Sequence, residues 1–142
     1  MREIQLFRPY VPNEAREAAR RTLDSRFIGQ GPQVDEFEQV WEKQISSPNK
    51  AVAVGSGTDA LHLAYILAGI KAGDEVVTPV FTCTATTTPL LYLGAKPVFA
   101  DVGKDNLNVS PADINKKMNE RTRAIIVVHY GGLPCDMDEI QA

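Results

Sequence analysis

From residue 51 onward, short apolar segments alternate with segments whose apolar residues recur at helical spacing. The pattern predicts strands over 51–55, 75–78, 97–100 and 124–128, with helices over 58–68, 84–93 and 111–118 between them. Ser110, Pro111 and Asp113 mark the start of the last helix with a cap, a proline at the first helical position and an acid three residues on. This alternation predicts the α/β class, with a mostly parallel sheet covered by helices.

Two further helices are predicted before the first strand. Asn13 is expected to cap the first helix, whose apolar face carries Ala15, Ala18, Ala19 and Leu23. Pro32 opens the second, whose apolar face carries Val34, Phe37, Val40, Trp41 and Ile45. With 142 residues and 44% hydrophobic content, the chain can bury one modest core. We therefore expect a single domain over 1–142, with a helical segment at 1–50 and an alternating β/α region at 51–142.

The turn GSGT at residues 55–58 joins a predicted strand to a predicted helix. Gly55 and Gly57 allow a tight turn and a close approach of the backbone to a ligand. The free N–H groups and the positive end of the helix dipole then favour an anion such as a phosphate. The alternative is an ordinary strand-to-helix turn that uses glycine and binds nothing.

The same turn also matches the dinucleotide-binding fingerprint, which requires an acidic residue at the end of the second strand, about 20 residues on. That strand, 75–78, runs into Pro79, Val80 and Phe81 without an acid. Asp101 follows a later strand and lies too far along the chain for the ribose role. A nicotinamide or flavin dinucleotide is therefore disfavoured.

Four separated segments agree in content and order with one enzyme family. They read FIGQGPQVDEFEQVWEK, AVAVGSGTDALHLAYILAGIKAGDEVVTPVFTCTAT, LGAKPVFADV and RAIIVVHYGGLPCDMDEI, the second containing both the glycine turn and the strand that follows it. From about Ile28 to Ile140 the chain resembles the DegT/DnrJ/EryC1/StrS sugar aminotransferases. These enzymes use pyridoxal 5′-phosphate (PLP) and have the aspartate aminotransferase fold. The resemblance implies that the chain is the N-terminal part of the large, PLP-binding domain.

The resemblance implies a role for Gly57, Thr58 and Asp59 at the phosphate of PLP, with Ser56 as a possible further contact. Gly57 admits close approach, and the Thr58 amide and hydroxyl can both donate to an anion. A carboxylate repels a phosphate, so Asp59 is expected to contribute its backbone N–H with its side chain turned away. An acid in the first turn of a helix is also favourable with the dipole.

One position departs from the family pattern. Members usually carry an aromatic residue after the threonine that corresponds to Thr82, and its ring stacks on the cofactor ring; here that residue is Cys83. Cys83 is either a substitute cofactor contact, with Thr82 as a possible neighbour, or a buried thiol. Phe81 lies on the same face of an extended segment as Cys83 and could supply the missing ring.

Two histidines have different expectations. His62 lies within the helix after the glycine turn and is expected to be a half-exposed surface residue. His129 ends the strand predicted over 124–128, where ligands of parallel sheets gather, so it is a possible cofactor contact.

A PLP aminotransferase needs a lysine that holds the cofactor as a Schiff base and an acid that pairs with the pyridine nitrogen. In the family both follow the segment that ends this chain, so they are expected beyond Ala142, and no catalytic residue is expected here. The seven lysines fall in no matching motif and are expected at the surface: Lys43, Lys50, Lys71, Lys96, Lys104, Lys116 and Lys117. The chain alone is expected to be an inactive fragment.

For the full-length enzyme, the resemblance implies a homodimer that transfers an amino group from a donor such as glutamate to a keto group on a nucleotide-linked sugar. A dehydratase using pyridoxamine 5′-phosphate (PMP) or a regulatory relative is an alternative within the family. The chain could also be a non-catalytic phosphate- or nucleotide-binding module, or a structural remnant that binds nothing.

The net charge is −3 with acids and bases interspersed, which favours neither nucleic acid nor a membrane surface as partner. No apolar run approaches the ~20 residues that cross a bilayer, and Met1–Ile4 lack the apolar core of a signal peptide. Cys83 and Cys135 have no metal-ligand spacing, so no metal site or disulfide is expected. We expect a cytoplasmic protein.

Overall fold

The computed structural model describes residues 8–45 and 48–142, and its contacts divide the chain into two units, residues 1–53 and 54–142. The start of the chain, on which the signal-peptide argument depends, lies outside the described residues. The single-domain organisation remains a prediction.

The first unit contains the two predicted helices, α1 (Asn13–Ser25) and α2 (Pro32–Gln44). The cap prediction for Asn13 is wrong: Pro12 has the extended backbone of the capping position, and Asn13 is already the first helical residue. Its side-chain oxygen accepts a hydrogen bond from the Arg16 guanidinium at 3.2 Å instead of from a backbone N–H. Pro32 does open α2, directly after the capping residue Gly31.

The strand predicted over 51–55 is also wrong, since residues 51–54 have no strand conformation. A strand needs a hydrogen-bonded neighbour. Here the N–H groups of Ala51 and Ala53 donate to the carboxylates of Glu42 and Glu38 on α2, at 2.8 and 2.7 Å. The apolar run has the composition of a strand, but among the described residues no other strand pairs with it.

The second unit has a three-stranded parallel sheet in the order β2-β1-β3, as the α/β prediction required. The strands are β1 (Glu75–Pro79), β2 (Lys96–Ala100) and β3 (Thr122–Ile125). The helices are α3 (Gly57–Leu67), α4 (Thr84–Tyr92), α5 (Pro111–Lys117) and α6 (Met137–Gln141), with a single 3₁₀ turn over Tyr130–Gly132. The Ser110 side chain caps α5 by accepting from the Asp113 N–H, as its start signal predicts.

The third strand ends earlier than predicted, at Ile125 instead of residue 128. In the observed register Val77 lies opposite Ile125, and the Ile126 N–H donates to the Val77 carbonyl at 2.8 Å. The next ladder bond would need an N–H from Pro79, which proline lacks. The neighbouring strand thus stops the pairing, and the apolar residues Val127 and Val128 lie outside it.

Both faces of the sheet are covered, because alternate residues of β1 enter two separate clusters. Val76 packs with Tyr65, Ile70, Leu90 and Ala95, on the face that carries α3 and α4. Val77 packs on the other face, with a second set of buried residues: Ala100, Val109, Ile114 and Cys135. The Tyr65 hydroxyl donates to the Thr86 carbonyl at 2.8 Å and ties α3 to α4, while burial raises the pKa of that phenol.

Glu75 connects the amino ends of all three strands. Its carboxylate accepts from Asn119 Nδ2 at 2.7 Å and forms ion pairs with Arg121 at 2.9 Å and Lys96 at 3.1 Å. The hydrogen bonds from Asn119 and Lys96, together with the two positive charges, hold the pKa of Glu75 below its ordinary value. A carboxylate whose pKa is lowered by folding stabilises the fold only while it is ionised.

We expect the stability contributed by Glu75 to be complete above its unfolded pKa, near 4.5, and to be lost as the pH falls through its lower folded value. Glu75→Gln should lower the free energy of unfolding at pH 7 and flatten its decline in acid. Urea denaturation between pH 7 and 3 measures both effects. Glu120→Gln removes a neighbouring exposed carboxylate and is the control; equal behaviour of the two variants would contradict this role.

A second stability test concerns Thr78, whose fully buried hydroxyl has no hydrogen-bond partner within the part of the chain that the structure describes. Thr78→Val should raise the free energy of unfolding by about 1 kcal/mol, because a buried unsatisfied hydroxyl is removed at nearly constant shape. Thr86→Val is the matched comparison, since the Thr86 hydroxyl is paired with that of Thr82 at 2.7 Å. Thr86→Val should lower the free energy of unfolding. If Thr78→Val also lowers it, the Thr78 hydroxyl has a hydrogen-bond partner and the prediction is wrong.

Candidate functional site

The glycine turn, residues 55–58, contains the amino end of α3, which begins at Gly57. Ser56 is the capping residue, with extended backbone at φ −159° and ψ 165°. Its hydroxyl accepts from the Asp59 N–H at 3.1 Å and donates to the Asp59 carboxylate at 2.9 Å. Because Ser56 and Asp59 satisfy each other, the start of the helix is fixed without a ligand.

Three donors at this helix end are left open. The amides of Gly57 and Thr58 have no hydrogen-bond partner within residues 8–45 and 48–142, and the same holds for the Thr58 hydroxyl. A Cβ atom added at Gly57 would meet no atom within 4 Å, so the space above the helix end is open. Open amides, a hydroxyl and the positive helix end together form a cradle suited to an anion.

Ser56 and Asp59 lie at the cradle but are occupied with each other. The Asp59 N–H, expected to face a phosphate, donates to Ser56, and the carboxylate is turned toward Ser56 as well. A Cβ atom at Gly55 would lie 3.1 Å from that carboxylate, which closes this side of the turn. A role for either residue at a phosphate stays a prediction, and the open donors belong to Gly57 and Thr58.

A second group of candidate residues lies where the parallel strands end. The chain leaves β1 through Val80 to Cys83, and it leaves the β3 side through His129 and Tyr130. The rings of Phe81 and Tyr130 pack with centroids 4.8 Å apart and join these two segments. Carboxyl ends of parallel strands are the usual place for ligands in such sheets.

Cys83 is the capping residue of α4 and is exposed. Exposure removes the interpretation as a buried thiol and leaves the cofactor contact as the prediction. Thr82 is half-buried, and its hydroxyl pairs with Thr86. Phe81 is held against Tyr130, so an aromatic surface does exist at this edge of the sheet.

His129 is an exposed residue with one nitrogen engaged. Its Nδ1 accepts a hydrogen bond from the Cys135 N–H at 3.0 Å, while the Cys135 thiol donates to the Val128 carbonyl at 3.3 Å. The ring is therefore tied to the backbone six residues further along. His62, by contrast, is half-buried and packs edge-on against Tyr92 with centroids 5.7 Å apart, as expected for a surface histidine.

Asn108 holds the same region in place and was missed by the sequence arguments. Its Nδ2 donates to the carbonyls of Leu133 and Pro134, both at 3.0 Å, and its Oδ1 accepts from the Tyr130 N–H at 3.0 Å. The residue is buried, and its partners lie 22 to 26 positions away in sequence. No local pattern in the sequence signals such a residue.

The structure thus brings Phe81 together with Tyr130, and His129 together with Cys135. Among the described residues, it gives no hydrogen bond that links the cradle at Gly57 and Thr58 to Cys83 or His129. All seven lysines are exposed, as expected. Within the described ranges no three metal-ligating side chains cluster, and no helix has the length and apolar character needed to cross a bilayer.

A surface cavity of about 350 Å³ lies at the carboxyl end of β2, lined by Val80, Phe99, Ala100, Asp101, Asp113 and Lys117. Both of its carboxylates accept backbone N–H bonds: Asp113 from Asp101 at 2.8 Å, and Asp101 from Val102 at 2.8 Å. Asp101, which was rejected above for the ribose role, thus stabilises the turn after β2.

Comparison with known proteins identifies the family. Residues 9–142 match the model of the DegT/DnrJ/EryC1/StrS aminotransferase family. The spore coat polysaccharide biosynthesis protein SpsC of Bacillus subtilis is 39% identical over 134 residues, which are 94% of this chain and 34% of SpsC. This chain therefore spans about a third of the length of such relatives.

Solved structures of sugar aminotransferases have a similar fold. The sugar aminotransferase CalS13 from Micromonospora echinospora is 33% identical with a TM-score of 0.86, over 98% of this chain and 38% of CalS13. Spr1654 from Streptococcus pneumoniae, in its PLP form, is 30% identical with a TM-score of 0.84, over 94% of this chain and 34% of Spr1654. On this match of sequence and fold, the chain belongs to the DegT/DnrJ/EryC1/StrS aminotransferase family.

Proposed function

We propose that this chain supplies the phosphate-binding part of a PLP-dependent aminotransferase that acts on a nucleotide-linked keto sugar. The observation that carries the proposal is the open cradle at the start of α3, where two free amides face empty space beside Gly57. Family membership and the PLP form of the structural relative Spr1654 support the identity of the ligand. When bound, PLP supplies the electron-accepting ring on which amino transfer depends.

The residues present fit the phosphate end of this cofactor. The Gly57 and Thr58 amides and the Thr58 hydroxyl would donate to phosphate oxygens, and the missing side chain at Gly57 admits the group closely. The reciprocal pair of Ser56 and Asp59 keeps the helix end in place and holds the carboxylate away from the open amides. The cradle is thereby organised before the ligand arrives, so binding costs little ordering entropy.

The ring end of the cofactor has fewer candidates in this chain. Cys83 is exposed at the start of α4, where an aromatic ring is usual in the family, and a sulfur contact to a π face contributes a modest ~0.3–1.5 kcal/mol. His129 and the Phe81–Tyr130 pair lie in the segments that follow β3 and β1 and complete the set of candidates. Their contact with the ring is part of the proposal.

We expect Gly57→Ala to weaken PMP binding about 10- to 100-fold, as for one or two lost hydrogen bonds to a charged group. The added methyl group meets open space in the chain, so the fold should be unaffected. PMP is the probe because, lacking an aldehyde, it cannot react with surface lysines. Its affinity is compared with that of pyridoxamine, which has the same ring without the phosphate.

The affinity ratio of PMP to pyridoxamine isolates the phosphate contribution, and titration calorimetry measures both. Gly57→Ala and Thr58→Val should each lower the ratio. Ala68→Val, at the exposed opposite end of the same helix, is the control and should leave it unchanged. An unchanged ratio in the Gly57 variant would place the phosphate elsewhere.

The reaction is tested on the protein in its natural length, loaded with PLP. Because glutamate is the proposed amino donor, we expect it to convert the absorbance spectrum to that of the PMP form. A nucleotide-linked keto sugar, the proposed acceptor, should restore the spectrum of the PLP form. Loss of water from the sugar without consumption of glutamate would indicate the dehydratase branch, and binding without either reaction a regulatory or binding protein. Residues 1–142 alone should bind PLP without turnover.

A homodimer and a cytoplasmic location belong to the same proposal. Gel filtration of the active protein tests the homodimer.

A further inference from the structure

His129 is exposed, yet its ring is restrained by a hydrogen bond from the Cys135 N–H. The Cys135 amide is an unambiguous donor, so the nitrogen facing it at 3.0 Å must be an acceptor. Flipping the ring would set a C–H group against that amide and lose the bond. Nδ1 is therefore unprotonated in the neutral ring, and the proton is on Nε2.

The Nε2–H group has no hydrogen-bond partner in the part of the chain that the structure describes. His129 directly precedes Tyr130 in the chain, and the Tyr130 ring packs on Phe81, two residues after the end of β1. An exposed donor held in one orientation is suited to an acceptor atom of a ligand, because the side-chain entropy of fixing it has already been lost.

The buried side chain of Asn108 bonds to the segment between His129 and Cys135. Its three hydrogen bonds reach both ends of the segment between His129 and Cys135: the Tyr130 amide at one end and the Leu133 and Pro134 carbonyls at the other. Asn108 thus bonds to both ends of the segment that separates His129 from Cys135. The backbone of Asn108 is itself held, because its N–H donates to Asn106 Oδ1 and its C=O accepts from the Gly103 N–H.

We propose that Asn108 is a positioning residue that holds His129 as a neutral Nε2–H donor toward an acceptor atom on the ring portion of the bound cofactor. This inference rests on the proposed function, because the cofactor is the ligand that His129 would meet. It assigns Asn108 a role that acts through His129, without contact between Asn108 and the ligand.

The first measurement needs no cofactor. In the protein of natural length, labelled with ¹⁵N at histidine and cysteine, the Cys135 amide nitrogen should show a coupling through the hydrogen bond to His129 Nδ1. His129→Gln assigns the signals. Asn108→Asp keeps an acceptor for Tyr130 but replaces both Nδ2 donors with an oxygen facing two carbonyls, so the coupling should be lost.

Two control variants keep this measurement specific. Asn106→Asp introduces the same charge two residues away and retains an acceptor for the Asn108 N–H. Cys135→Ser keeps the backbone amide that bonds to the ring. Both should preserve the coupling to His129, and its absence in the unsubstituted protein would overturn the assigned tautomer.

The second measurement adds PMP to the same samples. The His129 Nε2 resonance should shift on binding, whereas His62, packed on Tyr92 in α4, serves as an internal reference that stays in place. In Asn108→Asp we expect the His129 shift to be lost while the affinity ratio of PMP to pyridoxamine, set by the cradle, is retained. If the Asp variant does not fold, His129→Gln should lower the affinity for pyridoxamine and PMP by the same factor.

The outcomes separate the two proposals. Absence of any PMP binding overturns the proposed function, and with it the role of His129 toward the cofactor. Normal binding with an unmoved His129 resonance overturns the further inference alone. A shift that persists in Asn108→Asp leaves His129 as a contact but refutes the positioning role of Asn108.

Discussion

The site depends on one constraint: in a parallel sheet, every strand ends at the same edge. β1 is hydrogen-bonded between β2 and β3, so the segments after Pro79, Ala100 and Ile125 emerge together. At the opposite edge, Glu75 joins all three strands through one carboxylate and its partners. The ion pairs of Glu75 thus lie at the amino ends of the strands, whereas the segments that follow the carboxyl ends carry the exposed residues Cys83 and His129.

The cradle is organised by a different and purely local interaction. Ser56 and Asp59 satisfy each other and leave the first two amides of α3 open, which is the arrangement that an anion requires at a helix end. Asp59 is therefore compatible with a phosphate, although its charge alone would be repelled: its carboxylate is bonded to Ser56 on the closed side of the turn. The same pair caps the helix where α3 begins, at Gly57.

Several features set by neighbours in sequence were predictable, although the cap at Asn13 was not, and two features set by distant partners were missed. The starts of α2 and α5 and the cradle at Gly57 and Thr58 follow from caps, prolines and glycines read within a few residues. The strand at 51–55 failed because composition cannot supply a partner strand. Asn108 could not be predicted either, since its bonds reach 22 to 26 residues along the chain.

The early end of β3 and the role of Asn108 share one physical cause. Because Pro79 offers no N–H to the ladder, residues after Ile126 lose the backbone bonds that would otherwise orient them. That segment carries His129 and Tyr130, and its bonds to other parts of the second unit come from side chains. Asn108 supplies three such bonds, and the bond from the Cys135 amide to His129 supplies a fourth. Where the ladder ends at the proline of the central strand, a buried asparagine bonds the segment that carries His129 and Tyr130 to the preceding part of the chain.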